Sequence, residues 1–238
     1  MAKEHLRTGL TWAVAALAVT GFAGVAGAQP TGEPPCGSLQ FHYGPFDFRR
    51  TTPYSRQIVE RAHFTHGVET LTKGMTGPFG GDIAYTLNAY PNHPRALAAM
   101  ERLAEKEKKD PPTSSVYTVA CLYERALRFQ PDDHVVRMLF SNYLFKRGKD
   151  DEARRHLDYV VSTTSDNPIA QFNAGMLYID MKVYDKALEQ AHKVMAMGFD
   201  RPELKNRLAA VGQWVEPPAA AASSVSDPQP TPASAASR

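Results

Sequence analysis

Cysteine and tryptophan are scarce in this sequence, with two of each, and neither sign of charge is in clear excess. The cysteines, Cys36 and Cys121, lie far apart, whereas zinc and dithiol redox motifs bring cysteines within a few residues of each other. This spacing excludes a site of that kind. The 27 basic and 25 acidic residues nearly balance, and no basic stripe is interleaved with aromatics. The usual nucleic-acid-binding surfaces are therefore excluded as well.

The sequence also lacks the short motifs of common enzymes. It has no nucleophile elbow, no phosphate-binding Gly-Lys loop and no zincin motif. The glycine-rich stretch 74–81 is followed by no Lys-Ser or Lys-Thr pair, so we interpret it as a turn. With 22% charged and 43% hydrophobic residues, the composition is that of an ordinary globular protein. We predict a protein that is not an enzyme and that carries no cofactor.

A long apolar run occurs at the N-terminus, from Leu10 to Ala23, and it is short for a bilayer span. It follows Lys3 and Arg7 and precedes Ala26-Gly27-Ala28, a small-x-small cleavage triplet. This order is typical of a secretory signal. We predict that residues 1–28 are removed and that the protein is exported, either to the periplasm or out of the cell. In the alternative, the segment is not cleaved and anchors the chain to a membrane.

Export bears on the two cysteines, because thiols in an oxidising compartment usually either pair or are buried singly. A bond between Cys36 and Cys121 would join an N-terminal arm to the first helical repeat. In the alternative the two cysteines are unrelated, and Cys121 is a small core residue on its helix.

Residues 134–199 contain two copies of one helix–turn–helix pattern. Ala153 and Ala187 occupy the same place in the second helix of each copy, about 34 residues apart. Small residues are needed where two helices pack closely, and Gly175 supplies one in the second copy, whereas Ser141 stands there in the first. Apolar residues recur at helical spacing in all four helices: Val136, Leu139, Phe140, Tyr143, Leu144, then Ala153, Leu157, Val160, Val161, then Ile169, Phe172, Leu177, Tyr178, then Ala187, Leu188, Ala191, Val194.

This pattern resembles the tetratricopeptide repeat family over about residues 94–214. The resemblance rests on Gly175, Tyr178, Tyr184 and Ala187, on Tyr143-Leu144, Gly148 and Ala153, and on the upstream segment 126–133. The family's first-helix tryptophan is absent, with Arg137 and Gln171 near its place. The resemblance implies an all-α fold in which helix pairs stack into a right-handed superhelix.

The chain divides at changes of composition and at helix-start signals. We predict a signal peptide (1–28), an irregular arm (29–54), a degenerate helix pair (55–93), a repeat domain (94–214) and a disordered tail (215–238). Within the repeat domain, we predict repeats at 94–133, 134–167 and 168–201 and a capping helix at 202–214. We expect Asp82 to cap a short helix ending at Tyr90, Ser114 or Ser115 to cap the helix ending at Phe129, and Asp166 or Asn167 to cap the helix that has Pro168 in its first turn. The arm's many aromatic rings are predicted to pack onto the helices; the alternative is a binding lip.

The resemblance also implies a binding surface, because the first helices of such pairs line a concave face. The residues expected there are Met138, Asn142, Phe145, Lys146, Phe172, Asn173, Met176 and Arg207. Asn142, Asn173 and Arg207 are similar in position to residues with which some family members hold a peptide's terminal carboxylate. Met138 and Glu203 stand near the places of two lysines of that clamp. In the alternative, the asparagines only tie neighbouring backbones together.

These features predict a non-enzymatic scaffold in the cell envelope that binds another protein or a peptide segment. An alternative function uses the N-terminal region, which is rich in aromatics and histidine. Glu60, His63, His66 and Glu69 are spaced by three, so neighbours share a helix face, as a metal site requires. A plain polar face has the same pattern. On this alternative the protein binds a metal ion or small ligand, with His63 and His66 as candidate ligands, or serves as an accessory domain of a hydrolase.

Overall fold

A computed structural model describes residues 36–75, 77–199 and 201–217, and these residues form ten α-helices and no strand. The prediction of an all-α fold is confirmed. The predicted signal segment and most of the predicted tail lie outside the described residues. The helices are α1 (Pro53–His63), α2 (His66–Glu69), α3 (Phe79–Ala89), α4 (Pro94–Glu107), α5 (Val119–Phe129), α6 (His134–Phe145), α7 (Asp150–Thr163), α8 (Pro168–Asp180), α9 (Tyr184–Ala196) and α10 (Pro202–Ala210).

Helices α4, α6, α8 and α10 begin at short-range sequence signals. Three of them, α4, α8 and α10, have proline at the first helical position, where the missing N–H removes no helical bond. The side chains of His93, Asp133 and Asn167 each accept a hydrogen bond from the backbone N–H three residues further on. Such N-caps satisfy an amide that the helix itself leaves free. These three capped boundaries therefore depend on local chemistry.

Successive helices pack as an array. Helices α6 and α7 lie side by side, as do α8 and α9, and α10 packs on both α8 and α9. Contacts also join α4 to α6, α6 to α8 and α8 to α10, whereas within the described residues no comparable contact joins α5 to α7 or α7 to α9. The first helices of successive pairs are therefore the ones that lie closest together and share a surface.

Two buried cores hold the array together. One includes Met100, Tyr123 and Phe140 and lies among α3, α4, α5 and α6. The other includes Tyr178 and Leu204 and lies among α7, α8, α9 and α10. Because both cores are built largely from large apolar side chains, their burial is the main stabilising contribution to the fold.

Small residues set the helix spacing at one position in each of two pairs. A Cβ atom added at Gly175 would lie 2.7 Å from Leu204 Cδ2 and 3.2 Å from Gln190 Cβ, so α8 tolerates only a hydrogen there without movement. Ser141 occupies the same position in α6, where it is buried. Its hydroxyl donates a 2.7 Å hydrogen bond to the Ala153 carbonyl of α7. The hydroxyl therefore bonds the two helices at the place where the next pair has glycine.

The N-terminal region differs from the prediction. Residues 55–93 belong to three helices rather than a pair, and α3 begins at Phe79. Asp82 is therefore not a cap; it is buried inside α3, where its carboxylate accepts the Met75 N–H at 2.9 Å. Asp82 has the right chemistry for a cap, but its carboxylate binds the amide of Met75 in the loop that precedes α3 instead.

The cap of α5 also differs. Thr118 caps this helix, and its hydroxyl accepts the Cys121 N–H. The prediction of Ser114 or Ser115 is wrong, because the connection that follows α4 runs several residues further before the helix starts. All three residues are good capping types, so sequence alone does not rank them.

The described part of the arm, residues 36–52, packs against the helices. The Phe41 ring lies 5.2 Å from the ring of Tyr85, and the Phe48 ring lies 4.1 Å from that of His93. These rings bury apolar surface on α3 and at the start of α4. The arm therefore packs on α3 and at the start of α4, and at Arg49 it reaches the N-terminal ends of α6 and α8.

A disulfide between Cys36 and Cys121 attaches the start of the described arm to α5, with the two Cα atoms 5.2 Å apart. The buried Arg125 guanidinium donates to the carbonyls of Cys36 and Ser38, at 2.9 and 2.6 Å. A covalent bond and a charged donor thus fix the same few residues of the arm.

The C-terminal helix α10 ends at Ala210, four residues before the predicted end at 214. Leu204 and Leu208 are its buried residues. Trp214 lies beyond the helix, and its ring packs edge-on against His192 of α9, 5.4 Å away. None of the described helices has the length and apolar character needed to cross a membrane.

Candidate binding surface

A shallow groove runs between α6 and α8. Its residues repeat at helical spacing on the two facing helices. The cavity has a volume of about 340 Å³ and is lined by Val135, Met138, Leu139, Asn142, Asn173, Met176 and Leu177. We call these seven residues the groove. Four of the residues predicted from sequence to form the binding surface, Met138, Asn142, Asn173 and Met176, lie together here.

The groove is apolar except for two amides. Within the described part of the chain, the side chains of Asn142, which is half-buried, and of Asn173, which is exposed, make no hydrogen bond to another protein group. An unpaired amide offers both a donor and an acceptor, as a peptide bond does. Val135 is 51% exposed, so apolar surface is also accessible along the groove. The arrangement suits a ligand that combines apolar side chains with backbone hydrogen-bonding groups.

One end of the groove is charged. A second cavity of about 260 Å³ shares Val135, Met138 and Asn173 with the groove and continues toward the N-terminal ends of α6 and α8. Its further lining includes Arg49, Asp132, Asp133, His134, Asn167, Ile169 and Ala170. We call this the acidic end, because Arg49 faces two carboxylates there. Arg49 comes from the arm, so the arm contributes to this end alone.

Arg49 is held by several acceptors. Its Nη2 atom lies 3.0 Å from Asp47 Oδ2 and 3.0 Å from Asp132 Oδ1, and its Nε lies 3.4 Å from Asp133 Oδ2. The hydrogen bond from Arg49 lowers the pKa of the Asp132 carboxyl. Burial alone would raise the pKa of Asp47, but hydrogen bonds from Arg49 and Asn92 hold it below its usual value. All three carboxylates are therefore arranged around one guanidinium.

Asn92 links this cluster to the helices. Its amide donates to Asp47 at 2.7 Å and to Asp133 at 2.8 Å, and its carbonyl oxygen accepts the Phe48 N–H at 2.9 Å. Asp133 also caps α6 through the Val136 N–H. The arm, the start of α4 and the start of α6 are thus joined through buried polar contacts, which are stronger than exposed ones.

The other predicted surface residues have partners elsewhere. Phe145 packs against the first core, and the Phe172 ring lies 5.6 Å from Phe199. Lys146 pairs with the buried Glu101 at 3.0 Å. Arg207 pairs with Asp180 at 2.6 Å, so it is not gathered with Asn142 and Asn173 in the groove.

The residues of the alternative metal site do not converge. His63 Nδ1 lies 3.4 Å from Asp82, and its ring stacks on Tyr85. Glu60 pairs with His93, and Glu69 with Arg95. His66 is exposed at the start of α2. Each member of the predicted set therefore faces a different part of the structure.

Among the described residues, one group of potential metal-ligand atoms does cluster, and it consists of Cys36, Cys121 and Glu124. The two sulfurs are bonded to each other in the disulfide. A disulfide lacks the thiolates that a metal binds, so this cluster does not serve as a metal site.

Sequence reasoning missed Arg49 and Asp132 at the acidic end. Asp132 lies in the Gln-Pro-Asp-Asp stretch that precedes α6, and its position next to the cap Asp133 places it near the groove. No local signal connects Arg49 to this place, because Arg49 belongs to the arm and the helices α1 to α5 separate it from α6 in the chain. Leu139 and Leu177 belong to the predicted apolar stripes, and their partial exposure follows from the packing of α6 against α8.

Comparisons of this chain with protein-family models, with curated proteins and with solved structures found no match.

Proposed function

We propose that this protein is a non-enzymatic scaffold that binds a peptide segment of another protein in the groove between α6 and α8. The observation that carries the proposal is the pair of asparagine amides, which lack internal partners and stand among accessible apolar side chains. An extended peptide has unpaired backbone N–H and C=O groups and alternating side chains. It therefore matches both features of the groove.

We also propose that residues 94–214 form tetratricopeptide-type repeats in a right-handed superhelix. Three observations support this. The N-caps His93, Asp133 and Asn167 recur at the start of successive first helices. The first helices contact one another along the array. Gly175 and Ser141 occupy the same close-packed position in two pairs. Stacked pairs of this kind form extended binding surfaces on the face of the first helices.

We further propose that the protein is exported and acts in the cell envelope. The N-terminal sequence pattern supports this, and so does the Cys36–Cys121 disulfide, because such bonds persist in oxidising compartments. Sequencing the N-terminus of the protein recovered from the exporting cell tests the proposal. A mature chain starting at Gln29 is expected, and recovery of intact Met1 in the cytosol would contradict it.

The peptide-binding proposal is tested by displaying random unstructured peptides and selecting those that the full chain retains. The double variant Asn142→Ala with Asn173→Ala removes the two amides. Each lost hydrogen bond to a peptide backbone costs about 1 kcal/mol, so the selected peptides should bind the variant at least about tenfold more weakly. Asn206→Ala, at an exposed position of α10 and outside the groove, serves as the matched control. Failure to select any peptide, or equal retention by the double variant, would refute the proposal.

A further inference from the structure

The acidic end of the groove carries more negative than positive charge. Asp47, Asp132 and Asp133 surround Arg49, and Arg50 reaches only Asp47, at 3.5 Å. The Asp47 and Asp133 side chains are 8% and 3% exposed, so a ligand cannot reach these two carboxylates. Asp132 is different, because 59% of its side chain is exposed beside the groove. Asp132 is therefore the carboxylate that a ligand in the groove can reach.

Arg49 is the one cation, lysine or arginine, among the residues that line the two joined cavities. It enters from the arm and binds Asp132 twice, through the carboxylate at 3.0 Å and through the backbone carbonyl at 3.3 Å. Its Nη2 atom also donates to Gln130 at 3.1 Å. In the free protein, a positively charged side chain thus already occupies the place beside Asp132.

We propose that the bound peptide presents a lysine or arginine side chain to Asp132, and that Arg49 holds this position when the groove is empty. The proposal rests on the peptide-binding function proposed above and adds the charge of the partner. Apolar side chains of the partner would contact Met138, Leu139 and Met176, and its cation would lie at the acidic end. The partner's cation would compete with Arg49 for Asp132, because both need the same carboxylate.

Competition of this kind predicts opposite effects for two substitutions. Asp132→Asn removes the carboxylate and should weaken binding of a cationic peptide. Arg49→Gln removes the competitor and should strengthen it. A merely structural role for the Arg49 cluster predicts instead that both substitutions act in the same direction, through loss of order at this end.

The probe is a series of short peptides with alternating leucine and serine, acetylated and amidated at their ends. Lysine, norleucine or glutamate is placed at either terminus, so that no direction of binding is assumed. The affinity of each peptide for the full chain is measured by titration calorimetry. We expect the lysine peptide to bind about three- to fivefold more tightly than the norleucine peptide, which is the range of a partly exposed ion pair. We expect the glutamate peptide to bind more weakly than the norleucine peptide. The advantage of lysine should shrink as salt is raised.

The variants complete the experiment. Asp132→Asn should abolish the advantage of lysine, Arg49→Gln should enlarge it, and Arg49→Lys should leave it near the wild-type value. Asp185→Asn and Arg155→Gln make the same charge changes away from the groove and should have no effect. Thermal unfolding checks that each variant folds, and Asp132→Asn tests the proposal even if Arg49→Gln does not fold.

Equal affinity for the three peptides, or a lysine advantage that survives Asp132→Asn, would overturn the charge preference and leave the peptide-binding function standing. Absence of binding by every peptide, together with a failed display selection, would overturn both.

Discussion

At the scale of single residues, the closest approach of helices in the second core depends on a missing side chain. Gly175→Val would force a branched side chain against Leu204 and Gln190, where even a Cβ atom lies too close. Overpacking of this kind typically costs about 1–3 kcal/mol, so we expect the free energy of unfolding in urea to fall by about 2 kcal/mol. Ala209→Val, at an exposed position of α10, should cost only the helix-propensity difference of about 0.6 kcal/mol. Equal effects of the two substitutions would contradict this description of the packing.

The buried His93 and the half-buried His156 make stability depend on pH. Burial lowers the pKa of His93, which Glu60 partly opposes, and burial followed by the nearby Arg137 lowers the pKa of His156. The unfolded chain therefore binds these protons more readily than the folded chain. Their contribution is fully present above the unfolded pKa of about 6.5 and is lost as pH falls below it toward the folded pKa.

We expect the free energy of unfolding to fall as the pH drops below about 6.5, by at most about 1.4 kcal/mol per pH unit for each proton. His93→Asn with His156→Gln should flatten this dependence while keeping an acceptor for the Ala96 N–H and for Arg137. Urea titrations across this range provide the measurement. An unchanged slope in the double variant would show that other groups control it. Glu60, Glu69 and Asp132 have lowered pKa values, so their contributions are present above the usual pKa, 4.5 for the glutamates and 3.8 for Asp132, and are lost as the pH falls below it.

Single residues also show how far sequence reasoning reaches. Asn167 was predicted as a cap, with Asp166 as the alternative, because its signal is local. Asp82 was assigned the wrong role, since nothing nearby in sequence shows that it accepts the Met75 N–H. Lys146 and Arg207 were placed on the binding surface, yet their partners Glu101 and Asp180 lie far from them in the chain. The sequence therefore predicted a contact between near neighbours in the chain, but it did not predict pairs of residues that lie far apart in the chain.

At the scale of elements, the arm is fixed to the helices by the disulfide and by Arg125. Cys36 and Cys121 are separated by 85 residues. A disulfide that closes a loop of this length lowers the entropy of the unfolded chain and thereby raises the free energy of unfolding by about 4 kcal/mol. Cys36→Ser with Cys121→Ser should therefore lower the free energy of unfolding by about 3–4 kcal/mol. Hydrogen exchange should rise more in residues 36–46 than in α8 and α9, which touch neither cysteine and respond only to the loss of global stability. An equal change in exchange in the two regions would contradict this role of the arm.

The elements differ in how well the sequence predicted them. The helices from α6 to α9 carry clear apolar periodicity, and the starts of α6 and α8 carry side-chain caps. Residues 55–93 carry a weaker pattern, and three helices form there instead of two. The break between α1 and α2 falls at Phe64 and Thr65, where Phe64 turns into the first core. Tertiary burial overrode the local helix propensity at that point.

At the scale of the whole molecule, the array of first helices creates the groove, and the arm closes one end of it with Arg49. The sequence predicted Met138, Asn142, Asn173 and Met176 because they repeat on one face of α6 and α8. It did not predict which of the exposed faces would stay open. That depends on Phe145 and Phe172 turning into the cores and on the arm packing against α3 and α5. These contacts join segments that are distant in sequence.

The measurement that tests the groove most directly uses the methionine methyl groups of the full chain, labelled with carbon-13. A peptide from the display selection is added while the methyl resonances are followed. Met138 and Met176 line the groove, whereas Met75, Met195 and Met197 are exposed elsewhere. Our description predicts that the first two resonances shift in proportion to the bound fraction while the other three stay in place. Shifts confined to Met195 and Met197, or none at Met138 and Met176 when the peptide is bound, would contradict it.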